Sequence, residues 1–406
     1  MQGILDGIKV LDLTRVIAGP LCTQVLADMG ATVYKIERPG EGDDTRRMGP
    51  FLPDPLTGQD SNDSALFLAY NRGKHSVTVD IATPEGAALV QRLAARCDVV
   101  VENYKVGTLA RYGLDHATLA RDNPGLVYCS VTGFGQDGPY AARPAYDFIL
   151  QGLAGLMSTC GLPDGTPGGG PMRTAIPIAD VVTGLYAGIA ILGALLHKQR
   201  SGEGQYVDAA MLDAAVALNG HLAVGYLLSG RLPPRGGNTN PIASPSEVFD
   251  CADGQLIVAA GNNGQFAAIC GLLAQPQLLQ DDRFATNAAR VANRQALRDA
   301  LAPCLAGRQR ADVIVRFESA GIPCGPINTM ADVFDDPQAA HRELVQQVPH
   351  GRGGNVPVLR SPLRFSATPV RHGSPPLLGQ HTAEVLAQEL GMSAGDVQAL
   401  AGKRVV

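Results

Sequence analysis

From Ile176 to Leu196 the chain carries one carboxylate, Asp180, and otherwise no ionisable side chain except Tyr186. A stretch this apolar has to be hidden from water, so the rest of the fold must supply a surface that covers it. Pro177 discourages a helix before it, and the residues after Asp180 tolerate one. Lys198 and Arg200 suit the negative end of its dipole, and Gly202 stops it. The pattern predicts a helix that begins at Asp180, with Asp180 as its N-cap. The continuous apolar part, Val181 to Leu196, is sixteen residues and contains three glycines from Gly184 onward. That is below the roughly 20 residues a bilayer requires, so it reads as a buried helix and no membrane is expected.

Asp180 has two readings. One is a cap, since Asp is a preferred N-cap residue. The other is a nucleophile: backbone N–H groups at a helix start keep a carboxylate ionised beside apolar neighbours, and Ile178, Ala179, Val181 and Val182 would keep water from an acyl group attached to it.

Composition narrows the classes of function. The 406 residues suggest two or three domains, and 45% hydrophobic content supplies ample core. The net charge of −5 and the lack of any block of like charge argue against nucleic acid or an anionic membrane as partner. Eight cysteines, at 22, 97, 129, 160, 251, 270, 304 and 324, stand singly, with no C-x-x-C pair. They suggest neither zinc nor a disulfide framework and read as thiols of a reducing, cytoplasmic compartment. The start, Met1 to Val10, lacks the pattern of a signal peptide.

In chain order, Ile8 to Leu13 alternates as a strand, a loop at Ile17 to Pro20 follows, then a helix from Leu21 to Met29 and a strand from Thr32 to Ile36. This βαβ unit places the Gly19-Pro20 turn at the carboxyl end of a strand, where open parallel sheets bind ligands. Further strands at Ser76 to Asp80, Asp98 to Asn103 and Leu126 to Thr132 alternate with helices, including one over Thr108 to Tyr112. The fold class is doubly wound α/β. Gly133 to Gly138 matches G-x-G-x-x-G after a strand, but Pro139 stands where a helix should open, and the segment leads instead to an apolar helix from Ala145 to Met157. The loop Glu37 to Arg47 carries three arginines that could grip a polyphosphate or simply be solvated. Linker-type composition at Gly230 to Asn240 marks a domain boundary, and 242–325 reads as a small α+β domain. No G-x-S-x-G, H-E-x-x-H or P-loop occurs.

Eight short segments, in order, resemble those of the family III CoA-transferases, a group that includes formyl-CoA, carnitine and bile-acid CoA-transferases and, by changed chemistry, α-methylacyl-CoA racemase. They are Val10 to Thr14 with Ala18-Gly19-Pro20, Lys35 to Gly40, Asn71 to Lys74, Val101 to Tyr104, Asp180 to Gly184, Gly202 to Gln205, Gly321 to Pro326, and Pro376 to Thr382. The resemblance implies a large Rossmann-like domain built from both chain ends, 1–225 with 330–406 returning to it, and an inserted small domain with its linkers at 226–329. It implies an interlocked homodimer, with the active site between the large domain of one chain and the small domain of the other. Its nucleophilic aspartate falls on Asp180. Its CoA-contacting positions fall on Val16, Arg38, Arg72, Lys74, Asn103, Tyr104 and Arg111, with Arg38 and Lys74 expected on the phosphates. Tyr146, Gly261 and Gly264 fall at substrate-facing positions, although Asn262 and Asn263 replace glycines of the family's flexible loop.

The reaction implied moves CoA from an acyl-CoA to a small carboxylic acid through an aspartyl intermediate. Coenzyme A is then a substrate, with no tightly bound cofactor and no metal. Two alternatives remain: a racemase, which would need bases on both faces of the α-carbon where this chain has Tyr146-Asp147, and a non-catalytic CoA-binding protein. Arg173 or Arg235 could pair with the distal carboxylate of a dicarboxylic acid, or be surface arginines.

Overall fold

The computed structural model describes residues 3–53, 58 and 60–406; Met1 and Gln2, where the reading of the N-terminus begins, lie outside them. The chain divides into two units, one of 1–156, 174–223 and 338–406, the other of 157–173 and 224–337. Both chain ends belong to the first unit. Segment 157–173, assigned from sequence to the large domain, clusters with the second.

The first unit is built on six parallel strands: β1 (Lys9–Asp12), β2 (Thr32–Glu37), β3 (His75–Thr78), β4 (Val99–Glu102), β5 (Val127–Thr132) and β6 (Gln205–Ala210). Their order, β3-β2-β1-β4-β5-β6, reverses direction between β1 and β4. This is the topology of a dinucleotide-type fold, and it opens a crevice beyond the carboxyl ends of β1 and β4.

The strands are apolar on both faces because both are covered. Leu11, Tyr34, Ile36, Val77, Val100 and Tyr128 face one core, together with Leu89, Val90 and Leu93 of the helix Pro84–Ala94 and Val385 and Leu386 of Thr382–Leu390. Val10, Val33, Val99, Val101, Val127 and Cys129 face the other, with α1 (Ala18–Asp28) and the long helix Ile178–Ser201. Adjacent residues such as Val10 and Leu11 thus enter opposite cores, as the two-residue period of a strand requires.

Four local expectations are corrected. The helix after β1 begins at Ala18, so Gly19 and Pro20 lie in its first turn rather than in a loop. The helix expected over Thr108 to Tyr112 is a single 3-10 turn, Leu109–Tyr112. The apolar segment after Tyr146 breaks early: α2 covers Asp147–Leu153 only. The Asp180 helix, here α3, spans 24 residues, beginning at Ile178 rather than at Asp180 and ending before Gly202 as expected. Among the described residues it is the one helix long and apolar enough to cross a membrane by itself, and 39% of its apolar window is buried inside the protein. Ala179, Ala187, Ile191 and Ala194 face inward, whereas Leu185, Tyr186, Ile189 and Leu196 are exposed.

The second unit has its own core. Three antiparallel strands, β7 (Ser246–Cys251), β8 (Gly254–Ala259) and β9 (Cys324–Pro326), pack Phe249, Leu256 and Val258 against helical Phe266, Ile269, Leu297, Leu301 and Phe317.

Candidate active site

The crevice at the sheet's reversal holds two adjoining cavities of about 350 and about 230 Å³, which share Arg15, Asp44 and Tyr104 in their walls. Asn103, just past β4, ties the crevice together. Its Oδ1 accepts the Arg15 N–H (2.9 Å) and its Nδ2 donates to the Arg15 carbonyl (2.7 Å), so the β1–α1 connection is fastened to the neighbouring strand. Tyr104 follows, with the Arg15 guanidinium 5.0 Å from its ring centroid.

Val16 comes next on that connection and has φ of 71°, a left-handed conformation that is strained for a β-branched residue. A buried ion pair holds it there. Asp43 Oδ1 accepts the Val16 N–H at 3.3 Å, while Lys35 Nζ reaches Asp43 Oδ2 and the Thr14 carbonyl, both at 2.9 Å. Burial pushes the Asp43 carboxyl up, but Lys35 and the Thr45 donors more than offset this and bring it down to about 2.

Asp180 lies in the wall of the smaller cavity, with Val16, Asn103, Tyr104, Arg143, Tyr146 and Asp147. It is not the N-cap. Helix α3 starts two residues earlier, at Ile178, with Pro177 as N-cap, and Asp180 occupies the third helical position. Pro177 excludes helix before itself but can serve as the boundary residue, which the sequence argument did not allow for. The helix's first N–H groups need other acceptors. Ile178 N–H donates to the Ile176 carbonyl at 2.8 Å; those of Ala179 (2.7 Å) and Asp180 (3.4 Å) both donate to Asp147 Oδ1. The cap therefore comes from α2, and the Asp180 side chain is left for the cavity.

The electrostatics also differ from expectation. Asp180 was expected to remain fully ionised at the helix start. Burial instead pushes its carboxyl up, the Asp147 charge adds to this, and the Ala18 N–H at the start of α1 offsets only part, leaving it at about 7. Helix α3 approaches α1 closely here: a Cβ on Gly184 would lie 2.5 Å from the Ala18 carbonyl oxygen.

The other residues singled out from sequence are placed as follows. Arg38 lines the larger cavity, its side chain exposed and 3.3 Å from Glu41. Arg111 is exposed on the 3-10 turn; Tyr112 of that turn and the preceding Thr108 line that cavity, but Arg111 is not itself in the wall. Arg72 and Lys74 point inward. Arg72 makes a two-point pair with Asp28 (2.9 and 2.5 Å), and Lys74 donates to Asp12, the Pro20 carbonyl and Asn71. The contact expected between Lys74 and phosphate is thus replaced by a buried ion pair. Tyr146 is exposed at the mouth of the smaller cavity.

Gly261 and Gly264 belong to the second unit, at the start of the helix Asn263–Leu272. Asn262 caps that helix through Gln265, and Asn263 accepts from the buried Arg290 at 3.0 Å, so the asparagines that replace glycine fasten this turn. Arg235 is also in the second unit, paired with Asp164 and the Ser158 carbonyl.

Sequence reasoning passed over Arg15, Tyr70, Lys105, Arg143 and the capping role of Asp147. Burial and Asp180 push the Tyr70 phenol up, which places it within electrostatic reach of the carboxylate. None of these residues sits in a distinctive spacing. Among the described residues no three His, Cys, Asp or Glu side chains are grouped to hold a metal ion.

The sheet order is that of a dinucleotide-type fold with an aspartate in the wall of its crevice, and sequence comparison shows which family of such proteins this is. The profile of CoA-transferase family III matches residues 5–382, and the chain belongs to that family. It is 46% identical over 385 residues, 95% of each chain, to the succinate–glutarate CoA-transferase of Agrobacterium fabrum. It is 40% identical over 387 residues to the human succinyl-CoA:glutarate CoA-transferase, covering 95% of this chain and 86% of the human one. A crystal structure of a CaiB/BaiF family protein from Brucella suis matches with a TM-score of 0.85 and 45% identity, covering 96% of this chain and all of that one.

Proposed function

We propose that this chain moves CoA from a dicarboxylic acyl-CoA to a free dicarboxylic acid, of the succinate and glutarate type, with Asp180 as the covalent nucleophile. One observation carries the reading: a carboxylate in the wall of the crevice cavity, relieved of capping by Asp147 and sharing that wall with Val16, Asn103 and Tyr104.

In this reading Asp180 attacks the donor thioester carbonyl and CoA leaves as thiolate, giving a mixed anhydride. The thiolate then attacks the aspartyl carbonyl, releasing the donor acid and leaving an aspartyl-CoA thioester. The acceptor carboxylate attacks that thioester to form a second anhydride, and returning thiolate collects the new acyl group and frees Asp180. Each attack generates an oxyanion, and the Ala18 N–H at the positive end of α1 is the donor best placed to stabilise it. The larger cavity, with Arg38 at its edge, would take the nucleotide end of CoA. A second carboxylate on the acyl chain is favoured by Arg15, Lys105 and Arg143 in the same wall as Asp180, and by the substrates named for the relatives above. The eight cysteines, all unpaired, suit a reducing cytoplasm.

The active assembly in this reading is a homodimer. Phe148, Ile149 and Leu153 of α2 and Leu185, Tyr186 and Ile189 of α3 leave an apolar face exposed on the first unit, which a second copy would cover.

The test is incubation with succinyl-CoA followed by hydroxylamine. A hydroxamate mapped to Asp180, with loss of transfer to glutarate in Asp180→Asn, is the expected result. Transfer in that variant within tenfold of the parent would sink the proposal.

A further inference from the structure

We infer that Asp147 is a positioning residue of this site: from α2 it clamps the first turn of α3, setting where Asp180 stands, and holds a second negative charge beside the nucleophile. The inference rests on the reading of Asp180 as nucleophile and extends it.

The clamp is a connected set of hydrogen bonds. Asp147 is buried, and its Oδ1 accepts from Ala179 and Asp180 while its Oδ2 accepts from Gln151 Nε2 at 2.7 Å. Gln151, also buried, accepts the Thr174 N–H at 3.0 Å and donates to the Ile176 carbonyl at 3.4 Å. One turn of α2 therefore holds both the approach to α3, at Thr174 and Ile176, and the N–H groups of Ala179 and Asp180. The donors to Asp147, from Gln151, Ala179 and Asp180, are all neutral, and no cation pairs with it among the described residues. A buried carboxylate without a cation is costly, and helix N–H groups recover part of that cost. An ordinary cap could be Ser, Thr or Asn at equal benefit to the helix. A carboxylate here has the added effect of disfavouring charge on Asp180.

That effect suits the chemistry. A carboxylate that holds its proton more tightly is the better nucleophile once ionised, and at neutral pH a useful fraction is ionised. It also assists the later steps, because converting Asp180 to a neutral anhydride or thioester relieves repulsion with Asp147. The other charged groups that share the cavity wall with Asp180 are Arg15 from the β1–α1 connection, Asp44 from the loop after β2, Lys105 from the segment after β4 and Arg143 from the segment before α2. The phenols Tyr70, Tyr104 and Tyr146 complete the surroundings. Of the anionic groups among them, Asp147 alone bonds to the helix that carries Asp180.

The experiment measures kcat/KM for succinyl-CoA against pH with the full-length parent, Asp147→Asn and Asp147→Ala. The parent should rise to a plateau with a midpoint near 7. Asp147→Asn keeps an acceptor for the cap but loses the charge, so its midpoint should move about one pH unit lower. Asp147→Ala loses both, and kcat should fall about tenfold or more with little change in KM. Parent-like profiles and rates in both folded variants would overturn the inference while leaving hydroxylamine trapping on Asp180 intact. Absence of that trapped adduct in the parent would overturn the nucleophile reading and this inference with it.

Discussion

Lys74 Nζ lies 3.0 Å from Asp12 Oδ2, and both side chains are fully excluded from solvent. The pair joins the end of β1 to the turn before β3, and the same ammonium donates to the Pro20 carbonyl in the first turn of α1 (2.9 Å). Asp12 is further bonded by Thr14 and Thr23. Burial pushes its carboxyl up, but Lys74 and Lys35 outweigh this and hold it below the usual range. A lysine in a glycine turn at the sheet's ligand edge would be expected to meet phosphate; here it builds the floor beneath the ligand edge.

Lys74→Ala should therefore act on stability before it acts on CoA. It leaves Asp12 buried without its nearest cation, at a cost of about 3–5 kcal/mol. Arg38→Ala, by contrast, removes an exposed side chain; it should leave the urea midpoint near that of the parent and weaken CoA binding in a salt-dependent way. Urea titration and calorimetry with CoA check the pair, and a Lys74→Ala protein as stable as the parent would contradict the assignment.

Asp180 makes a second prediction through linkage. Its carboxyl is raised from 3.8 to about 7 in the folded protein. Between those values the folded state binds a proton that the unfolded chain has lost, so this group's contribution falls as pH rises from about 4 to about 7 and is flat above. Asp180→Asn removes that penalty. The variant should be inactive yet more stable than the parent at pH 8, by one to a few kcal/mol, with little difference at pH 4. Denaturant midpoints of both proteins at the two pH values are the measurement; an equal offset at both would refute the shift.

The approach of α3 to α1 makes a third. A methyl group on Gly184 would sit 2.5 Å from the Ala18 carbonyl oxygen, so the two helices must separate to admit it. That moves the Ala18 N–H away from Asp180. Gly184→Ala should lose 10- to 100-fold in kcat while CoA affinity changes by less than threefold, because the wall proposed for the nucleotide end of CoA, with Arg38, belongs to the other cavity. A variant with parental kcat would show that the approach does not matter to the reaction.

How much of this was legible in the sequence depended on whether the deciding interactions were local. Val10-Leu11 and Val99-Val100-Val101 announce buried parallel strands through their own β-branched, apolar character, and the sheet contains them. Strand β6 was not anticipated: Gln205-Tyr-Val-Asp-Ala-Ala alternates weakly and is an edge, recruited by pairing with β5 rather than by its own pattern. Asp180 was identifiable because a lone carboxylate in an apolar run is locally conspicuous. Its environment was not, since the cap comes from Asp147, 33 positions away, and the Ala18 N–H from the first turn of α1, far off in sequence. The inward turn of Arg72 and Lys74 was hidden for the same reason, because Asp28 and Asp12 become their partners only once β1, α1 and β3 are packed.

The last prediction concerns the exposed face of α3. Ile189 is 64% exposed, and Leu185, Tyr186 and Leu196 are exposed with it along a helix whose opposite side is buried. These side chains are about half exposed, so leaving them in water forgoes on the order of 1 kcal/mol each, and an apolar helix face of this kind is what a lasting interface or a bilayer covers. A second copy of the chain is the proposed cover, since the inner side of the same helix is already committed to the sheet through Ala187, Ile191 and Ala194. Ile189→Glu puts a charge in the middle of that face. If two copies meet there, sedimentation equilibrium should show a dimer for the parent, without added detergent, and a shift toward monomer or aggregate for the variant, with transfer activity falling in step. If a bilayer is the cover, the parent should instead require detergent and float with vesicles, and the variant should not. A parent that sediments as a stable, active monomer in plain buffer would rule out the dimer.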